Sequence, residues 1–210
     1  MKRITIFIFL TFSLNAQYHY EISKITPQIQ KRMIEGNSYH KGCPVSLNDL
    51  RYLKMTYTNF IGQDATGELI VHKEVADDVV EIFKALYEQR YPIRQMRLVS
   101  DFGGNDWLSI EADNTSAFNC RNATGSKTWS RHAYGKAIDL NPLENPYISS
   151  SGRISHKASL KFRIRKHRLN IPQDRAVLLQ NDRATQLFKQ HGWRWGGEFR
   201  GEKDYQHFAK

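Results

Sequence analysis

Cysteine is almost absent from this 210-residue chain, which carries only Cys43 and Cys120. Two thiols so far apart cannot build a zinc ribbon, whose ligands come in close pairs. They leave open one disulfide or two buried free thiols. Long apolar runs are missing too. The longest, residues 4–14, is too short to span a bilayer comfortably. There is no Walker-type phosphate loop, no dinucleotide-binding glycine pattern and no RNA-binding aromatic motif. The common nucleotide-dependent classes therefore lack their signature. Internal repeats and low-complexity segments are absent as well, which argues against a solenoid.

What remains is the composition of a globular protein: 40% hydrophobic and 25% charged residues, in a length that suits one domain with a real core. Lys2 and Arg3, the apolar run after them and the small Ala16 before Gln17 have the shape of a signal peptide over residues 1–16. Export to a periplasm or cell envelope is the expectation, with no stable membrane insertion after cleavage. The formal charge is +10, and removing Lys2 and Arg3 leaves +8. A basic exported protein suits anionic lipid or an anionic wall polymer better than nucleic acid.

Residues 17–41 are polar and mixed and read as an N-terminal arm before a domain over 42–210. Ser46, as a cap with Asp49 three residues on, predicts a short helix. Residues 54–61 and 67–73 are rich in strand formers. Val75, Val79, Phe83 and Leu86 recur at helical spacing behind Glu74, Asp77 and Asp78, and Pro92 stops the helix. Residues 93–102 read as a third strand. Arg153 to Arg168 is a basic stretch that reads as a solvated face. Asp182 caps a last helix that Gly192 ends. Strands and helices mix without a βαβ rhythm, so the fold class is α+β with a mostly antiparallel sheet and flanking helices.

One stretch asks for chemistry: SRHAYGKAIDLNP, residues 130–142. His132 precedes a turn that Gly135 permits, and Asp139 lies on the strand-like AIDL beyond it. Near the C-terminus KDYQHF places Asp204 three residues before His207. A zinc hydrolase needs three protein ligands, an open position for water and a nearby base. His132, Asp139 and His207 can supply the ligands and Asp204 the base. Positions 204 and 207 of one ideal strand face opposite ways, so Asp204 is expected on a loop or bulge entering the strand. The histidines at 19, 40, 72, 156, 167 and 191 show no paired ligand spacing. Trp193 and Trp195 read as core or pocket wall.

These residues carry a resemblance. SRHAYGKAIDLNP with GWRWGGEFRGEKDYQHF resembles the M15 metallopeptidases, the D-alanyl-D-alanine carboxypeptidase and endolysin-peptidase group. The likeness extends back through GCPVSLNDLRYL, GELIVH and NTSAFNCR, over about residues 42–210. It implies a hedgehog/D-Ala-D-Ala-peptidase-like fold, Zn(2+) on His132, Asp139 and His207, and Asp204 as the catalytic acid/base. It implies Arg121 as a substrate-binding or oxyanion-stabilising residue, with Ser130 beside the site. The implied substrates are peptidoglycan stem peptides, first at D-alanyl-D-alanine. A D,D cross-link, the L-alanyl-D-glutamate bond or a non-catalytic zinc-bearing wall-binding module remain as alternatives. Trp107 and Ile110 depart from the family's pattern, in a segment where relatives often carry paired aspartates and a methionine.

Overall fold

The computed structural model describes residues 17–167 and 170–210. The signal-peptide reading of residues 1–16 and the end of the basic stretch at Arg168 lie outside them. The architecture is α+β.

Its centre is a long hairpin, β2 (Leu50–Asn59) with β3 (Asp64–His72), in register from Leu50 opposite His72 to Thr58 opposite Asp64. β1 (Tyr20–Lys24) adds antiparallel to β2, and the two-residue β4 (Pro92–Ile93) adds parallel to its other end. The hairpin is covered on both faces, so residues of both alternating sets are buried, the polar Thr56 and Thr58 among them. Leu53, Met55 and Tyr57 face the main core. Leu50, Tyr52 and Ile70 join a second cluster with Met33 and Phe118.

Helix α1 (Pro27–Glu35) supplies Met33 to that second cluster. Thr26 caps it and Pro27 occupies its first turn. The stretch read as an arm thus carries a strand and a helix joined to the central sheet. Arg32 ties α1 down by pairing with both Glu68 and Asp101 at 2.7 Å. Tyr52 donates its hydroxyl to the same Glu68.

Helix α2 (Ala76–Glu88) presents Val79, Ile82, Phe83 and Leu86 to the main core, the stripe its spacing predicts. It ends at Glu88, before Pro92. Two expectations need correction. The helix at Ser46 is a single 3-10 turn, Leu47–Asp49, because Leu50 already enters β2. Residues 93–102 form β4, the two-residue β5 (Gln95–Met96) and a 3-10 turn, Val99–Phe102. Ile93 and Met96 are buried in these two-residue strands and Leu98 and Val99 at the turn after them, so no single strand runs through the segment.

The C-terminal part has small pairings. After α3 (Asp106–Glu111), β6 (Asn114–Thr115) pairs parallel with β5. Then come β7 (Ala137–Asp139), β8 (Tyr147–Ile148), α4 (Pro172–Arg175), α5 (Arg183–Gln190), β9 (Arg194–Trp195), β10 (Lys203–Asp204) and β11 (His207–Ala209). β11 lies between β7 and β9, antiparallel to both, and β10 pairs antiparallel with β8. Asp182 caps α5 through its bond from Thr185 N at 2.6 Å. Phe188, Trp193, Trp195 and Phe208 complete the main core beneath these strands.

The basic stretch is not uniformly solvated. Lys157, Lys161, Arg163 and Lys166 are exposed, but Arg165 turns inward. Its guanidinium donates to Glu144 O and Asn145 Oδ1 at 2.5 Å and to Leu178 O at 3.0 Å, and it stacks on Tyr205. It staples the 142–146 loop to the segment before α5. No described helix is long and apolar enough to cross a membrane.

Candidate active site

The site is built outward from the end of β3. His72 N donates to Gly135 O at 2.8 Å, and a Cβ on Gly135 would stand 2.6 Å from His72 N. With φ at +64°, only glycine takes this seat easily. The 3-10 turn before it, Arg131–Tyr134, is capped by Ser130, whose Oγ accepts from His132 N. His132 is thereby held at the floor of a cleft and is almost fully buried. Its Nδ1 donates to the Ala117 carbonyl at 2.5 Å, which leaves Nε2 with a free lone pair.

Asp139 and His207 face each other directly across the β7–β11 pairing. Backbone bonds in both directions between Asp139 and Ser116 fix β7 on its other side. The three side chains meet. His132 Nε2 lies 3.2 Å from His207 Nδ1 and 3.2 Å from Asp139 Oδ2, and His207 Nδ1 lies 3.0 Å from Asp139 Oδ1. Burial alone would raise the Asp139 carboxyl, but the two imidazoles outweigh it and hold the group far below the ordinary carboxylate range. Burial lowers His207 while Asp139 raises it, and the carboxylate wins.

These residues suit a zinc ion. Zinc bonds of about 2.0–2.1 Å at tetrahedral angles set ligand atoms roughly 3.3 Å apart, close to the spacing found here. Two imidazoles and a carboxylate are a donor set that leaves a fourth position for water or substrate. The other group of this kind among the described residues, His40 with Cys43 and Cys120, is otherwise engaged, because the two sulfurs form a disulfide.

Asp204 stands apart from the trio in the same cleft. The expected loop or bulge is instead the short β10, followed by a turn at Tyr205–Gln206 and then β11. Asp204 and His207 therefore belong to different sheets, and strand alternation does not bind them. Asp204 Oδ1 is buried with no hydrogen-bond partner among the described residues. Burial first, and the Asp139 carboxylate second, push its carboxyl up to about 7. The seat depends on Gly196, where a Cβ would stand 2.3 Å from Asp204 O.

The cleft has a volume of about 670 Å³. Arg121 lines it, paired with Asp106 of α3 at 2.8 Å, while its Nη1 donates to Asn122 O. Ser130 also lines it, although its hydroxyl is engaged as the cap of His132. Trp107 and Ile110, the departures noted in the sequence, form part of the wall. Trp107 stacks on His156 with ring centres 3.8 Å apart. Spacing gave no sign of His156, since its partner is far away in sequence. Asp106 was equally hidden, although it sits beside the conspicuous Trp107.

Residues 124–210 match a family model described as D-alanyl-D-alanine carboxypeptidase, of the M15 peptidases. The matched segment contains His132, Asp139, Asp204 and His207 and begins just after Arg121. No curated protein and no solved structure matches the chain.

Proposed function

We propose that this M15-family peptidase, of the D-alanyl-D-alanine carboxypeptidase type, is zinc-dependent and hydrolyses peptidoglycan stem peptides in the periplasm or cell envelope. The observation that carries the reading is the convergence of His132 Nε2, Asp139 and His207 Nδ1 within 3.0–3.2 Å, beside the unpartnered carboxyl of Asp204. The preferred reaction is removal of the terminal D-alanine. The D,D cross-link and the L-alanyl-D-glutamate bond remain as endopeptidase alternatives.

Zinc held by the trio would acidify a water and polarise the scissile carbonyl. The chain's own residues do the rest. Asp204, raised into the neutral range, takes one proton as the water oxygen bonds to the carbonyl carbon. It returns that proton to the leaving nitrogen as the C–N bond breaks. Arg121 faces the negative charge that develops on the carbonyl oxygen. Asp106 holds the Arg121 guanidinium in place for that role. Ser130 serves the site by fixing the turn that carries His132.

The test is a pair of measurements on Asp204→Asn. Zinc bound per chain is expected to stay equal to wild type. Turnover of an acetylated peptide ending in D-alanyl-D-alanine is expected to fall by roughly 10²–10⁴-fold. Unchanged turnover would remove Asp204 from the mechanism. Wild-type turnover that survives complete removal of metal would refute zinc dependence.

A further inference from the structure

We propose that Arg131 is a specificity-determining residue whose guanidinium binds the α-carboxylate of the residue released by cleavage. The inference rests on the peptidase reading above and deepens it by naming what the substrate must carry.

The charge of the cleft is the starting point. Its lining includes the carboxylates of Asp106, Asp139, Glu202 and Asp204, and two arginines, Arg121 and Arg131. The arginines are in different states. Arg121 is engaged through both Nη atoms, with Asp106 at 2.8 Å and the Asn122 carbonyl accepting from Nη1, and only its buried Nε lacks a partner among the described residues. Arg131 is exposed, and among the described residues its guanidinium makes no ion pair and no hydrogen bond. Its backbone is nevertheless fixed. Arg131 opens the 3-10 turn capped by Ser130, and its carbonyl accepts from Lys136 N at 3.2 Å. A free guanidinium thus hangs from a rigid turn, one residue from His132. An anionic substrate entering a cleft with four carboxylates needs such an unspent cation, and a guanidinium matches a carboxylate with two parallel bonds.

The chemistry of the ligand follows from the position. An α-carboxylate lies two bonds from the scissile nitrogen, so it enters the cleft beside the reacting atoms. Two bonds of the stem peptide meet this requirement. Cleavage at D-alanyl-D-alanine releases an alanine whose carboxylate is the free C-terminus. Cleavage between L-alanine and a γ-linked D-glutamate releases a residue whose α-carboxylate is also free. The shared feature is a carboxylate next to the leaving amine.

The experiment uses the zinc-loaded full chain and two substrate pairs. One is an acetylated peptide ending in D-alanyl-D-alanine and its C-terminal amide. The other is an L-alanyl-γ-D-glutamyl peptide and its α-amide. Wild type is expected to prefer the acid of one pair by roughly 10- to 100-fold in kcat/KM, mostly through KM. The pair that shows the preference identifies the source of the carboxylate. Arg131→Ala is expected to remove the preference while leaving amide turnover intact, and Arg131→Lys to restore part of it. A second readout is calorimetric binding of the same acids and amides to metal-free protein, where wild type favours the acid and Arg131→Ala does not. An undiminished acid preference in Arg131→Ala would overturn this proposal and leave the peptidase reading standing. If wild type cleaves none of the four, the peptidase reading fails. Binding then decides alone: an acid preference that is absent in wild type, or kept in Arg131→Ala, overturns the Arg131 assignment.

Discussion

Gly196 is expected to be indispensable for turnover although it carries no side chain. A Cβ added there would lie 2.3 Å from Asp204 O, 2.9 Å from Asp204 Cβ and 3.2 Å from its carbonyl carbon. The backbone at Gly196 is outside the left-handed region, so Gly196→Ala brings no dihedral strain and acts by contact alone. Ordinary contact begins near 3.4 Å, so β10 must move by about 1 Å relative to Gly196. A 1 Å misplacement of a catalytic group costs on the order of 10²-fold. His132, Asp139 and His207 hang from other elements, so metal binding is expected to persist. The overpacking itself costs about 1–3 kcal/mol of stability. The assay is kcat on a D-alanyl-D-alanine peptide, with zinc content and thermal unfolding measured on the same sample. Gly201→Ala is the control, since φ there is +88° and a Cβ meets nothing within 4 Å. It is expected to lose stability without a selective loss of kcat. A Gly196→Ala protein with one zinc and kcat within about threefold of wild type would refute the argument that this glycine seats Asp204.

Two further perturbations follow from groups away from the chemistry. Asp113 and Glu144 are both buried, and their carboxyls face each other in hydrogen-bonding reach. Burial first, then Asp113, pushes Glu144 well above the usual carboxylate range, so the folded protein keeps a proton that the unfolded chain releases. That stability is full below the unfolded carboxylate value of about 4.3 and is lost as pH rises towards the folded one. Glu144→Gln should flatten this decline and raise the unfolding midpoint at pH 8 relative to wild type; an unchanged pH slope in chemical denaturation would contradict it. The Cys43–Cys120 disulfide closes a sequence separation of 77 and ties residues 38–43 to the strand of chain leading to Arg121. Its removal by Cys43→Ser with Cys120→Ser is expected to cost about 2–4 kcal/mol in urea unfolding. A double variant as stable as wild type would show that the noncovalent contacts suffice.

Features set by near neighbours in sequence were legible from pattern alone, whereas most that depend on distant partners were not. α2 and α5 could be read because an apolar stripe and a cap are local properties. The turn at Gly135 and the strand at Asp139 could be read for the same reason, and the family resemblance joined them to His207 as a candidate ligand set, whose three side chains lie together in the structure. β1 could not be read. Its residues are mostly exposed, and only pairing with β2 makes them a strand. α1 carried its local signals in Thr26 and Pro27, but its apolar face is narrow and is defined by the cluster around Met33. The run 93–102 misled because burial in two short strands and a turn leaves the same apolar composition as burial in one strand. Arg165 looked like part of a solvated basic face, yet its acceptors at 144, 145 and 178 turn it inward. The same limit applied to the site. The ion pair of Arg121 with Asp106 and the stack of Trp107 on His156 join segments far apart in the chain.

The most direct test is digestion of purified muropeptides by the zinc-loaded chain, read by mass spectrometry with and without a chelator. The account predicts a mass loss of one alanine from pentapeptide stems, abolished by the chelator and restored by zinc. Splitting of cross-linked dimers, or release of a glycan capped by L-alanine, would keep the zinc peptidase and move the bond. No change in any muropeptide, with zinc bound, would contradict the account and favour a wall-binding module.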